Sequence, residues 1–302
     1  MNLFQTSIKW RHLSLFIGLL LCTPQVFAWC LIMPEEKAPY FSIINTIAEN
    51  IQLELPDSQR IEASARIPKK CFANTENGFI LLGPGAYQRM AKLLKPDQIN
   101  IAVAVEKDKN IEHIDSWFQY IPSPKATFEN LKKIEPSIQT IHILVDDLGN
   151  KELINQAAAD LELLDKKLTI HHISAMQNAP ATIEKIIENL DSNTEALWLS
   201  PHFGQYRITS LLPLIIKASL KHEKMTIANN LSWIDKGLFF GVYPDNVEFG
   251  KQVGKTIQSH STLKNFYIES VLIVMNEKTI RFLKRNPKAK NYEQVNLFLP
   301  KN

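Results

Sequence analysis

The chain has 302 residues, 45% of them hydrophobic and 22% charged, with a formal charge of +3. This is ordinary globular composition, enough for one large domain or two moderate ones. It excludes a nucleic-acid binder of the basic kind, since no lysine or arginine run accompanies the small positive balance, and with 10 glycines and 16 prolines it leaves no low-complexity linker and no fixed-period repeat.

The N-terminus carries an export pattern. Lys9 and Arg11 precede an apolar run over 13–21, and Val26-Phe27-Ala28 ends it. A basic region, a short apolar core and a small residue before the cut read as a signal peptide cleaved after Ala28, over residues 1–28. The run is short for a bilayer-spanning anchor. Leu21 before Cys22 is not the small residue a lipidation signal wants. Loss of Lys9 and Arg11 leaves 32 basic against 31 acidic side chains, and loss of Cys22 leaves Cys30 and Cys71. Two thiols in an oxidising compartment point to a disulfide, with two separate buried thiols as the alternative.

The rest alternates apolar strand-like runs with amphipathic helices. Strands are expected at 29–33, 61–67, 78–82 and 99–105, with helices over 40–53 and 86–94. The rhythm restarts with helices over 124–134, 151–164, 181–190 and 207–220 and strands at 140–145, 168–173, 196–199 and 225–228. A further strand covers 238–242. Such a βαβ rhythm predicts parallel sheets covered by helices, an α/β fold, in two lobes or one large sheet. After the 238–242 strand comes a helix with Gly250 and Gly254 one turn apart on one face, spaced for close approach to a neighbouring helix. Asp245 or Asn246 is placed to cap it.

Four stretches resemble a known family: GVYPDNVEFGKQVGKTI from Gly241, ESVLIVMNEKTIRFL from Glu269, PSPKATFENLKKIEPSIQTIHILVD from Pro122, and EALWLSPHFGQY from Glu195. They are similar to the substrate-binding proteins of ABC transporters, of periplasmic binding protein type I fold, in the group of aromatic-amino-acid binders and uncharacterised members. The resemblance implies two Rossmann-like lobes with parallel sheets, joined by three crossing strands around a cleft. Lobe one would take 29–115 plus 237–263, and lobe two 116–236 plus 264–302. It also implies an extracytoplasmic solute-binding protein, located in the periplasm. Such a protein captures an amino acid or similar small organic solute as a monomer and presents it to a membrane ABC permease or a sensor protein. It needs no cofactor and performs no reaction.

In open parallel sheets, ligands sit beyond the carboxyl ends of the strands. The loops so selected give the expected ligand contacts. In lobe one these are Tyr40, Gly83, Pro84, Gly85 and Tyr87. In lobe two they are Trp117, Asp146, Ser200, His202, Phe203, Asn229 and Asn230. Tyr243 and Asp245 join them from the returning strand. Aromatic walls with a few polar anchors suit a small planar or apolar solute, although aromatics also build ordinary cores; Phe118 and Trp233 belong to the same set. The Gly83-Pro84-Gly85 amides would suit an anion at a helix start, or the glycines serve only the turn. His202 stands where the resembled family has an acid after the proline, which removes an amine anchor. Two alternatives remain open: an exported α/β hydrolase using Ser200, His202 and Asp146, for which no Gly-x-Ser-x-Gly elbow exists, and a sensor subunit without a permease. His171 and His172 point to opposite faces of one strand, and His113 and His142 have no clustered partners, so no metal site is expected. Glu35-Glu36-Lys37 reads as a solvated turn.

Overall fold

The computed structural model describes residues 29–38, 40–62, 64–72, 78–105, 112–145, 151–173, 178–200, 205–259, 265–286 and 288–300. Residues 1–28, read from the sequence as a signal peptide, lie outside them. The chain opens with β1 (Cys30–Met33), α1 (Phe41–Glu54), β2 (Gln59–Glu62), β3 (Phe79–Leu82), α2 (Gly83–Met90), β4 (Asn100–Val103) and β5 (Ser116–Pro122). It continues through α3 (Pro124–Ile134), β6 (Thr140–Val145), α4 (Lys151–Leu163), β7 (Lys167–His172), α5 (Ala179–Asn189), β8 (Glu195–Leu199), α6 (Gln205–Lys221), β9 (Met225–Ala228), α7 (Leu231–Asp235) and β10 (Phe240–Pro244). Then come α8 (Asn246–Gln258), β11 (Asn265–Ile268), β12 (Val271–Asn276), α9 (Glu277–Phe282) and β13 (Leu297–Leu299).

These strands form two sheets. One runs β11-β5-β4-β3-β1-β2 and is parallel throughout. The other runs β13-β12-β10-β9-β8-β6-β7 and is parallel except where β12 meets β10. The inner strands β1, β3, β4 and β9 are buried at every position, as parallel strands covered on both faces must be. In lobe one, α1 and α8 cover one face, Ile47 and Phe249 packing in the same core as Leu31, Ile80 and Ile101. The other face holds α2 and the Cys30–Cys71 disulfide, which ties β1 to the turn at 69–72. In lobe two, Phe128 of α3 meets Trp198 of β8 edge-on at 5.0 Å on one face, and α5 and α6 cover the other.

Gly250 and Gly254 do what their spacing predicts. A Cβ on Gly250 would stand 2.5 Å from the Ile47 carbonyl oxygen, and one on Gly254 2.6 Å from Cβ of Glu54. Only hydrogen at these two positions lets α8 seat on α1.

The two lobes are joined by three crossings, but not at the boundaries read from the sequence. The 116 boundary assigned β5 to lobe two; it pairs with β4 in the first sheet, Ile101 opposite Ser116. The 237 boundary assigned β10 to lobe one; it lies beside β9 in the second, Phe240 opposite Ile227. The 264 boundary assigned β11 to lobe two; it pairs with β5, Asn265 opposite Trp117. The chain therefore crosses between β5 and α3, between β10 and α8, and between β11 and β12. An apolar run carries no label for the sheet it will join. Proline does mark two of the crossings, Pro122 and Pro124 at the first and Pro244 at the second, because it ends a ladder by withholding an N–H.

Local boundaries shifted too. The second strand lies at Gln59–Glu62 rather than 61–67, and α2 starts at Gly83, so Gly83-Pro84-Gly85 is a helical first turn rather than a loop before one. The short elements β11, β13 and α7 have too few residues to show a period.

Candidate functional site

β5 leaves the first sheet at its carboxyl end and β10 leaves the second at its own, so both sheets turn their carboxyl ends toward the crossings. On the lobe-one side a cleft of about 530 Å³ opens there, lined by Pro34, Glu35, Lys37, Tyr40, Gly85 and Arg89 among others. Tyr40 organises it. The residue stands just before α1, and its ring lies across the start of α2. A Cβ on Gly83 would come 3.2 Å from Tyr40 Cε2, and one on Gly85 3.2 Å from the Tyr40 hydroxyl. Gly83 has φ +77°, a conformation glycine adopts without strain. The Gly85 N–H donates to the Tyr40 hydroxyl at 3.3 Å, and Pro84 has no N–H to offer. The amide that an anion would take at this helix start is thus engaged by the phenol. Glu35 and Lys37 are exposed at the rim, as a solvated turn should be, and Arg89 is exposed on α2. The result is one aromatic wall with an acid and two cations around it.

Elsewhere in lobe one, Trp117 is buried against Ala102 and Val105 and packs on the half-buried Tyr87, ring centroids 6.2 Å apart. Phe118 is fully buried and stacks on Phe266 at 4.7 Å. These rings support the lobe-one face from within.

On the lobe-two side, Ser200 follows β8 and is buried, while Asp146, His202 and Phe203 lie outside the described residues. Asn229 spends its amide inside the protein: Oδ1 accepts from Trp198 Nε1 at 3.3 Å and Nδ2 donates to Thr127 Oγ1 at 3.0 Å, binding β8, β9 and α3 together. Asn230 caps α7 through the Trp233 N–H.

Tyr243 and Asp245 sit at the second crossing. Asp245 caps α8, its Oδ1 accepting from the Val247 and Glu248 amides at 3.0 and 3.2 Å. Its own N–H donates to the Ser270 carbonyl at 3.1 Å, and the Ser123 N–H donates to the Ile268 carbonyl at 2.8 Å, so backbone bonds tie the first and second crossings to the third. Tyr120 of β5 puts its hydroxyl 2.5 Å from Asn246 Oδ1, to which it donates, and 3.1 Å from the Tyr243 hydroxyl. Burial first, and then the Tyr243 hydroxyl, push the Tyr120 pKa far above the ordinary phenol value. Tyr120 carried no sequence signal beyond sitting just before a proline-marked crossing.

His142, read as lacking a clustered partner, has one. Its Nδ1 faces Nε2 of His171 at 2.8 Å, and its Nε2 lies 3.5 Å from Glu195 Oε2. The pairing joins β6, β7 and β8 across one sheet face, a proximity that only register reveals. Among the described residues no group of three or more His, Cys, Asp or Glu is disposed to hold a metal ion, and no helix is long and apolar enough to cross a membrane.

No family model and no curated protein matches the chain. Solved structures do. A ligand-free, open substrate-binding protein with adhesive properties, CD0873 from Clostridium difficile, is 14% identical over 91% of this chain and 99% of that one, with a TM-score of 0.57. The fold is that of the type I periplasmic binding proteins. An ABC domain from Streptococcus pneumonia in complex with L-Trp is 15% identical over 90% of this chain and 99% of that one, with a TM-score of 0.50. A conserved domain protein from Vibrio cholerae reaches the same score at 11% identity, over 90% of this chain and 99% of that one.

Proposed function

We propose that this chain is an extracytoplasmic solute-binding protein that captures a small molecule between its lobes. One observation carries the reading: two parallel-sheet lobes present their carboxyl strand ends at three crossings that are bonded side by side, and an aromatic, charge-rimmed cleft opens at one of those ends. Ligands of open parallel sheets sit there, and a hinge of this kind lets lobes close over them. The export pattern up to Ala28 supports a periplasmic location for the mature protein. A membrane permease of the ABC type, or a sensor protein, would then read the closed form. The solute is an amino acid or similar small organic molecule. The Tyr40 wall and the L-Trp held by the Streptococcus pneumonia structure put aromatic amino acids first in the search.

The test is a thermal-shift panel of amino acids, small organic acids and sugars on the chain from Trp29 onward. A binder should raise the melting temperature in a saturable way, come back chemically unchanged by mass spectrometry, and contract the protein in small-angle scattering. Conversion of the solute overturns the reading, and so does the absence of a response across the panel.

A further inference from the structure

We infer that Tyr120 is a latch between the lobes, setting how far apart they stand before any solute arrives. The inference rests on the two-lobed hinge reading above and adds to it the device that biases the hinge. The three crossings are bonded in pairs. Backbone bonds join the first to the third, Ser123 to Ile268, and the second to the third, Asp245 to Ser270. The first and second are joined through a side chain: Tyr120, on β5 of the first sheet, reaches Tyr243, on β10 of the second, and Asn246, where α8 begins. Tyr120 therefore closes the ring of three.

The two kinds of tie differ in consequence. Neighbouring peptides of adjacent crossings stay bonded while the chain pivots around them. The phenol instead spans the pivot, because Tyr243 precedes Pro244-Asp245 and Asn246 follows it. Its ring is held on both sides, edge-on to Tyr243 at 6.2 Å and 83° and to Phe249 at 6.0 Å and 64°. A rigid ring with a doubly bonded hydroxyl fixes one relative position of β5 and β10. Rotation of the lobes must break the Tyr120–Tyr243 bond. The Tyr120–Asn246 bond stays within lobe one, since α8 packs on α1.

The variant Tyr243→Phe removes the lobe-to-lobe bond and keeps the ring. Spin labels on Lys92→Cys in lobe one and Glu188→Cys in lobe two, both exposed positions, report the lobe separation in the solute-free protein. Against the labelled parent, Tyr243→Phe should change the ratio of short to long separations about five-fold, the ratio one internal hydrogen bond sets. Tyr120→Phe should do at least as much. The urea unfolding midpoint of Tyr243→Phe should fall by no more than the loss of one such bond, so the fold stays intact while the distribution of separations changes. A distance distribution superimposing on the parent's for both variants overturns the latch. The outcomes separate cleanly. A chain that binds no solute but whose lobe spacing responds to Tyr243→Phe overturns the proposed function and keeps the latch; solute binding with unresponsive spacing does the reverse.

Discussion

Tyr40 explains why two of its neighbours are glycines. Its ring and hydroxyl would leave a Cβ on Gly83 or Gly85 only 3.2 Å, a tighter fit than ordinary van der Waals contact. Gly83→Ala should therefore cost about 1–2 kcal/mol for a side chain at positive φ, checked by urea unfolding. Tyr40→Phe should leave the fold intact and free the Gly85 amide, which would raise the affinity for solutes bearing a carboxylate. At this scale the sequence was partly legible. The strand-end rule led to Tyr40 and Gly85, and both line the cleft. It also led to Asn229, Asn230, Tyr243 and Asp245, whose polar groups bond their own protein. Position at a strand's exit follows from pattern. Whether a side chain is spent on a neighbour or left for a ligand depends on contacts far apart in sequence, such as Asn229 with Thr127.

Between elements, two contacts decide stability. The α1–α8 interface depends on Gly250, where any side chain meets the backbone oxygen of Ile47 and Cβ of Asn50. Gly250→Leu should destabilise by about 3 kcal/mol, seen as a lower urea midpoint at unchanged slope. This contact was legible, since the spacing of two glycines on one helix face announced a close neighbour, though not which helix it would be. The second contact is the histidine pair across β6 and β7. Ring centroids 5.1 Å apart with planes 14° from parallel, and nitrogens 2.8 Å apart, describe rings joined nearly in one plane by an N–H···N bond rather than stacked faces. One ring donates and the other accepts, so a proton on both sets two donors face to face. Burial, and then the neighbouring His142, lower the His171 pKa, against a smaller opposing pull from Glu195. The unfolded chain therefore takes up this proton more readily than the folded one. The stabilisation is full above the ordinary value of 6.5 and is lost as pH falls from there through the lowered value of His171. The unfolding midpoint should drop between about pH 7 and pH 5, and His171→Asn should flatten that drop.

For the whole molecule, the buried runs and the helix–strand rhythm were enough to give parallel sheets covered by helices, because period and burial are local properties, while the choice of two lobes over one large sheet came from the family resemblance. The crossings were displaced because sheet membership is decided by pairing. The Cys30–Cys71 bridge closes a separation of 41 residues across the far face of the first sheet. Replacing both cysteines with alanine should cost about 4 kcal/mol on chain-entropy grounds, a loss visible as a lower melting temperature that a reductant reproduces in the parent. Since the bridge lies opposite α1 and α8 rather than at the hinge, solute affinity below the melting temperature should be little changed.

The seat of α8 on α1 also sets the order in which the molecule is completed. Ile44, Ile47 and Ile51 belong to the first helix of the first sheet, and Phe249 and Val253, which cover them, arrive about two hundred residues later. During synthesis that oily stripe waits uncovered while all of α3 to β10 is made, a stage at which holdase chaperones and proteases find their substrates. The half of the protein that is begun first stays unsealed until α8 and β11 arrive, and only β12, α9 and β13 of the other half are still to follow.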